Sequence, residues 1–234
     1  ATGSQAGSAT LPGIDAAALA SLIYTSGTTG SPKAVMLSHG NLASNAAAII
    51  GYLGLRASDS MVCVLPFHYS YGASVLNTHL MGGARLIVEP NLVFPHRVVE
   101  TMARERCTGF AGVPSTFALL ASRVALDRYD LTSLRYITQA GGGMSPALSD
   151  RVRSAFPSAK LFVMYGQTEA SARLTWLPPE KLDEKRGSVG LPIAGVELQI
   201  RGDAGQPTAT GESGEIWVRG PNVMLGYWKD PEAT

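Results

Sequence analysis

Leu22-Ile-Tyr-Thr-Ser-Gly-Thr-Thr-Gly-Ser-Pro-Lys-Ala-Val-Met-Leu37 sets an apolar run on each side of a polar loop. Leu22–Thr25 and Ala34–Leu37 have the length and composition of strands, and the loop between them combines hydroxyls, glycines and one lysine. Glycines let backbone N–H groups turn inward, hydroxyls add donors, and Lys33 brings a point charge. That donor set suits a polyphosphate. The spacing is not that of a Walker A loop, where Lys directly follows Gly and opens a helix. Here Pro32 intervenes and a strand follows Lys33, so a helix dipole is not the main attraction. A polar hairpin with an incidental lysine is the plainer alternative.

Working outward, apolar runs of similar length recur at Met61–Leu65, Arg85–Val88, Leu134–Thr138 and Leu161–Tyr165, then at Glu197–Ile200 and Glu215–Val218. Helical spacing with start signals lies between several of them: Asn41–Tyr52 behind Ser38, Pro114–Ser122, and Met144–Phe156 with Ser145 as cap and Pro146 after it. Continuous apolar strands alternating with helices predict an α/β fold, with a mostly parallel sheet covered by helices on both faces. After about Gly187 short strands and turns take over, predicting a β-rich antiparallel C-terminal portion. The expected organisation is a partly flexible lead-in over 1–20, an α/β nucleotide- and acid-binding core over 21–186, and a β-rich segment of the same domain over 187–234.

Composition narrows the classes further. Hydrophobic residues make up 45% of the 234 and charged residues 16%. The charged share is low for a soluble domain and implies that part of the surface is covered. A net charge of +1 argues against nucleic acid or anionic membrane as a partner. The stretch Ser60–Ala84 has no charged residue, yet Pro66, His68, Asn77, His79 and a Gly-Gly pair speak against a membrane span. A buried strand, a pocket-lining turn and a buried helix fit it better. Cys63 and Cys107, in apolar surroundings and without metal-ligand spacing, read as free buried thiols of a reducing compartment. With no secretory signal in view, the expectation is a cytoplasmic protein.

Three ordered motifs carry a resemblance. YTSGTTGSPK (Tyr24–Lys33), Tyr165-Gly-Gln-Thr-Glu169 and GEIWVRGPNVMLGYW (Gly214–Trp228) resemble signatures of the AMP-forming adenylate-forming superfamily: acyl- and aryl-CoA synthetases, peptide-synthetase adenylation domains and luciferases. The resemblance covers nearly the whole chain and implies ATP-dependent activation of a carboxylic acid to an acyl-adenylate. Transfer to a thiol, of CoA or of a carrier protein's phosphopantetheine, would follow. It implies that Thr25, Ser26, Gly27, Thr28, Thr29, Gly30 and Lys33 cradle the terminal phosphates. Thr168 would donate to the α-phosphate and Glu169 would hold Mg2+, with Lys33, Thr168 and Glu169 as the catalytic set. Tyr165 would stack on adenine, with Gly141, Gly142 and Gly143 opposite it and Gly166 and Gln167 beside it.

On the acid side, Leu65-Pro-Phe-His-Tyr-Ser-Tyr-Gly72 resembles the segment lining the carboxylate pocket. Peptide-synthetase domains typically carry Asp just after that Phe, to pair with an α-ammonium; this chain has His68, a poor counter-ion for ammonium. The substitution favours a simple carboxylic acid. Tyr69, Gly72, Gln139, Met164, Ala172 and Arg173 match further pocket positions, with Arg173 either pairing with a polar substrate group or facing solvent. Family members are longer, with a TGD motif and a small C-terminal domain bearing a catalytic lysine. The chain is therefore expected to be a truncated piece of such an enzyme, lacking its N- and C-terminal parts and full activity. Two alternatives stay open: an adenylation domain loading an amino or imino acid onto a carrier protein, and a non-catalytic nucleotide-binding module.

Overall fold

The structure is a computed structural model and describes residues 13–25 and 32–234. Its first pair of strands, β1 (Leu19–Thr25) and β2 (Lys33–Ser38), is an antiparallel hairpin whose closing pair is Thr25 opposite Lys33. Ser26, Gly27, Thr28, Thr29 and Gly30 lie outside the described residues. Helix α1 (His39–Leu53) starts immediately after β2, where Ser38 and Asn41 form a reciprocal capping box, and ends at Gly54 in the left-handed conformation (φ 56°).

The main sheet is built from β3 (Ser60–Cys63), then α2 (Ser70–Met81), β4 (Arg85–Val88), α3 (Pro95–Arg104), β5 (Gly109–Gly112), α4 (Pro114–Arg123), β6 (Tyr136–Gln139), α5 (Pro146–Ala155), β7 (Lys160–Tyr165), β8 (Thr175–Leu177) and β9 (Leu191–Pro192). Its strand order is β4-β3-β5-β6-β7-β8-β9. The first five strands of that order are parallel, and β8 and β9 add antiparallel. Alternation along β7 sends Leu161 and Val163 to one face and Phe162 and Met164 to the other. On the first face Met102 of α3, Phe117 and Leu120 of α4 and Val152 of α5 complete the core. On the second, Ile49 and Leu53 of α1 and Tyr71 and Val75 of α2 do so. The sheet is thus covered on both sides, as the alternating pattern predicts.

Four features depart from the sequence reading. The runs at Leu22–Thr25 and Ala34–Leu37 do not join the main sheet; with β12 (Gly226–Tyr227) they make a separate three-stranded antiparallel sheet. Strand β5 reads as Gly-Phe-Ala-Gly, too poor in branched residues to register as a strand. Its Gly109 is needed because the Tyr136 ring occupies the space a Cβ would take. Helix α3 was also missed, although Pro95 opens it as Pro114 opens α4 and neither has a side-chain cap. Antiparallel pairing begins at β8, before Gly187, while β10 (Glu197–Arg201) and β11 (Glu215–Arg219) form the late hairpin that was expected.

The charge-free stretch Ser60–Ala84 resolves into β3, a turn and α2, and among the described residues no helix is long and apolar enough to cross a membrane. Cys63 and Cys107 are free and buried, and burial pushes both thiols up.

Candidate nucleotide and acid site

Ligands in open α/β sheets bind beyond the carboxyl ends of the strands. There, β6 ends at Gln139 and β7 at Tyr165, and between them runs a groove of about 710 Å³. Gln139, Met164, Tyr165, Gly166 and the Gly141-Gly142-Gly143 loop all line it. Fully buried Gln139 holds the loop by donating its Nε2 to the Gly142 carbonyl at 2.8 Å, while its Oε1 has no partner. Gly141, at φ 79°, makes the turn out of β6 that a residue with a Cβ would resist.

After Tyr165 the chain folds back sharply. Gly166 has no room for a side chain, because the Ala172 carbonyl fills the position of a Cβ. Thr168–Ala170 form one 3₁₀ turn, and then Ser171 (φ 56°) and Ala172 (φ 91°) both take left-handed backbone. Such strain persists only where the surroundings over-determine it. Here Ser171 Oγ donates to the Asn222 carbonyl at 2.7 Å, and Asn222 Nδ2 donates to the carbonyls of Ala170 and Arg173, each at 3.0 Å. Asn45 of α1 donates to the Arg173 carbonyl from the other side at 2.9 Å. The segment before β12 is therefore a clamp on the Gln167–Arg173 turn.

One side chain links the hairpin to the Tyr165–Glu169 motif. Tyr227 of β12 donates its hydroxyl to Glu169 Oε1 at 2.7 Å, and the ammonium of Lys33 lies 5.0 Å from the centre of the Tyr227 ring. The Met224 N–H donates to the Glu169 carbonyl at 2.8 Å. Burial, then the Glu169 carboxylate, pushes the Tyr227 phenol up to about 12, so it stays a donor at every physiological pH. Lys33 and Glu169, far apart in sequence, thus share one neighbour.

The acid-side residues divide into two groups. Thr168 Oγ1 donates to Ser70 Oγ at 3.2 Å, bringing the first turn of α2 against the motif. His68 and Tyr69 precede that turn, both exposed, with their rings 4.3 Å apart, so His68 is not a core histidine. Gly72 is buried, but its missing side chain makes way for the Pro66 carbonyl rather than for a cavity. Of the two readings of Arg173, the solvent-facing one fails. Arg173 is 2% exposed and lies over the Tyr71 ring at 4.8 Å, beside Met164. Burial raises the phenols of both Tyr52 and Tyr71, with the Arg173 charge opposing it in each.

The AMP-binding enzyme family profile matches residues 2–228. The chain belongs to the AMP-binding enzyme family. It is 36% identical over 216 residues to a feruloyl-CoA synthase of Amycolatopsis, covering 91% of this chain and 43% of that protein. A 4-coumarate–CoA ligase of Solanum tuberosum is 34% identical over 222 residues, with 41% of its length covered. Among solved structures, VinN superposes with a TM-score of 0.86 at 34% identity, over 97% of this chain and 56% of VinN. O-succinylbenzoate coenzyme A synthetase of Bacillus subtilis, in complex with ATP and magnesium ion, gives 0.83 at 32% identity, over 92% of this chain and 44% of its own. The chain spans less than half the length of the curated relatives it matches. In this member of the AMP-binding enzyme family, the residues that sequence reasoning missed are Tyr227, Asn222, Asn45 and Ser70. Buried asparagines and a tyrosine in a glycine-rich late motif were the available signal.

Proposed function

We propose that the chain is part of an acid–thiol ligase that makes an acyl- or aryl-CoA through an acyl-adenylate, with ATP and Mg2+. The observation that carries this reading is the meeting of the hairpin's Lys33 and the motif's Glu169 on Tyr227, with the groove at the ends of β6 and β7 opening beside the same motif. The named activities of the CoA-forming relatives support it.

The donor set suits a magnesium nucleotide. Tyr227 occupies Glu169 Oε1 and leaves the second carboxylate oxygen for a cation, and among the described residues no cluster of three or more metal-binding side chains exists. A single protein carboxylate matches an ion that keeps waters and phosphate oxygens as its other ligands. When bound, Mg2+ neutralises charge on the phosphates. Lys33 and the hairpin hold the departing pyrophosphate, Thr168 donates to the α-phosphate, and Tyr165 with Gly141–Gly143 sandwiches adenine. A carboxylate oxygen of the acid attacks the α-phosphorus as the bond to pyrophosphate breaks. A thiol sulfur then attacks the acyl carbon, its proton is lost, and AMP leaves. Positioning and fixed charge supply most of the catalysis in such displacements. CoA is the proposed thiol, small carboxylic acids the proposed substrates, and a carrier-protein arm the second reading for the acceptor.

ATP–pyrophosphate exchange by the full-length protein, across a panel of carboxylic acids, tests the reading. Exchange that requires both an acid and Mg2+ is expected. ATP binding with no acid-dependent exchange would contradict it and favour a non-catalytic nucleotide-binding module.

A further inference from the structure

Arg173 is the largest side chain that is fully buried, and its Nε and Nη1 have no hydrogen-bond partner. A guanidinium taken out of water without an anion is costly, and a buried charge normally comes with a partner. None is present. Arg173 takes part in no ion pair among the described residues, and residues 1–12 and 26–31 contain neither Asp nor Glu. The polar side chains that line the same small cavity are Tyr52, Tyr71, Ser74, Thr78, Thr138 and His79, without a carboxylate among them, and the Tyr52 hydroxyl donates to Met164 Sδ at 2.9 Å. Burial holds the His79 imidazole below its ordinary range, so His79 favours its neutral form and does not add a second cation. The Tyr71 hydroxyl is engaged with Thr138 at 2.9 Å and leaves the guanidinium only its ring face.

Arg173 is also held in place. Its carbonyl is gripped by Asn45 and Asn222, and its backbone lies against Gly166 of the Tyr165–Glu169 motif. The space at its head is small, about 10 Å³, the room of about one water. Met164 lines both that space and the 710 Å³ groove, so a flexible thioether separates the two.

We propose that Arg173 is the receptor for a second carboxylate at the far end of the acid, so that the substrate class is short dicarboxylic acids rather than purely hydrocarbon ones. One carboxylate reacts beside Thr168; the other enters past Met164 and takes the two free N–H groups of Arg173. This rests on the ligase reading above. The pairing is charge-assisted and desolvated, the setting in which an arginine–carboxylate contact discriminates strongly.

The test compares acids of equal chain length, with and without the second carboxylate: succinate and butyrate, glutarate and pentanoate, adipate and hexanoate. The full-length protein is assayed by ATP–pyrophosphate exchange. For at least one pair, kcat/KM is expected to favour the diacid by about tenfold or more. Arg173→Met should lower that ratio by a similar factor, and Arg173→Lys, which keeps a charge, should restore part of it. A wild-type enzyme that prefers the monoacid at every length, or a ratio unchanged in Arg173→Met, would overturn the proposal while leaving the ligase reading intact. Absence of exchange with any acid would count against the ligase reading itself. Melting temperature gives an independent check. Removing an uncompensated buried charge should leave stability equal or higher, whereas a loss of several degrees would make the guanidinium structural and overturn its role as a receptor.

Discussion

The two ends of the parallel sheet treat buried polar groups in opposite ways. At the amino end, Asp59 is 3% exposed and fully used. Its Oδ2 accepts from Arg135 at 2.6 Å and from the Arg56 N–H at 2.7 Å, and its Oδ1 accepts from Thr108 at 2.8 Å. Thr108 in turn accepts from the Ser60 N–H at 3.0 Å. These bonds tie the starts of β3, β5 and β6 together. Among the described residues, every buried side-chain polar atom that lacks a partner belongs to Asn45, Gln139, Arg173 or Asn222. Gln139 ends β6, and the other three surround the turn that follows β7. Satisfied networks rigidify, and unsatisfied ones are costly unless something else completes them. The amino end is therefore the stabilising end, and the unpartnered atoms gather at the carboxyl end, where the proposed ligand site lies.

That contrast can be broken by substitution. The largest effect is expected at Glu169: Glu169→Ala in the full-length enzyme should reduce Mg2+-dependent pyrophosphate exchange by about a thousandfold, the scale on which loss of fixed charge at a reacting phosphate is felt. Melting temperature should move little. Asp59→Asn should do the reverse. It strips a buried carboxylate from its arginine and should cost about 2 kcal/mol of stability, read as a drop of about 4–8 °C in Tm, with the Mg2+ dependence of exchange unchanged. If Asp59→Asn altered Mg2+ dependence more than Tm, the division between the two ends would be wrong.

A smaller effect is expected at Tyr227. Tyr227→Phe keeps the ring under Lys33 but removes the donor to Glu169. It should raise the Mg2+ concentration for half-maximal exchange by about fivefold, about 1 kcal/mol for one hydrogen bond. No change in Mg2+ requirement would remove Tyr227 from the site.

Acid sharpens the comparison least but touches the amino end and the core selectively. Burial acts to raise Asp59, but hydrogen bonds from Arg135, Arg56 and Thr108 outweigh it and hold the carboxyl below its ordinary range. The unfolded chain then binds that proton first, so the stabilisation is present above about pH 3.9 and is lost as pH falls below it. Burial also depresses His79, so in the unfolded chain it takes a proton from about pH 6.5 downward while the folded one resists. Stability should therefore decline in two stages on acidification, and thermal melts from pH 7 to pH 3 would show it. In Asp59→Asn the lower stage should shrink to the smaller share of exposed, partnered carboxylates such as Asp150 and Asp183, which are also held below their ordinary range.

How far the chain could be read in advance follows from the same physics. Continuous apolar runs exposed β3, β4, β6 and β7, and caps at Ser38 and Ser145 exposed α1 and α5, because these signals are local. Strand β5 escaped because it is half glycine, with Gly109 answering to the distant Tyr136 ring, and α3 escaped although Pro95 opens it as Pro114 opens α4. The residues of the groove were nameable from short motifs, since Gly141–Gly143 and Tyr165–Glu169 are contiguous. What no motif spacing could show is that β12 returns beside β2 and delivers Tyr227 to Glu169, 58 residues away. Nor could composition reveal Arg173 as buried, since an isolated arginine is ordinarily on the surface.

A crystal structure of the full-length protein with AMP tests the central claim most directly. Adenine is expected between the Gly141–Gly143 loop and the Tyr165 ring, and the phosphate within hydrogen-bond distance of Thr168. Nucleotide bound elsewhere, for instance in the open depression beside Lys160 and Glu180, with the groove between β6 and β7 left unoccupied, would contradict it.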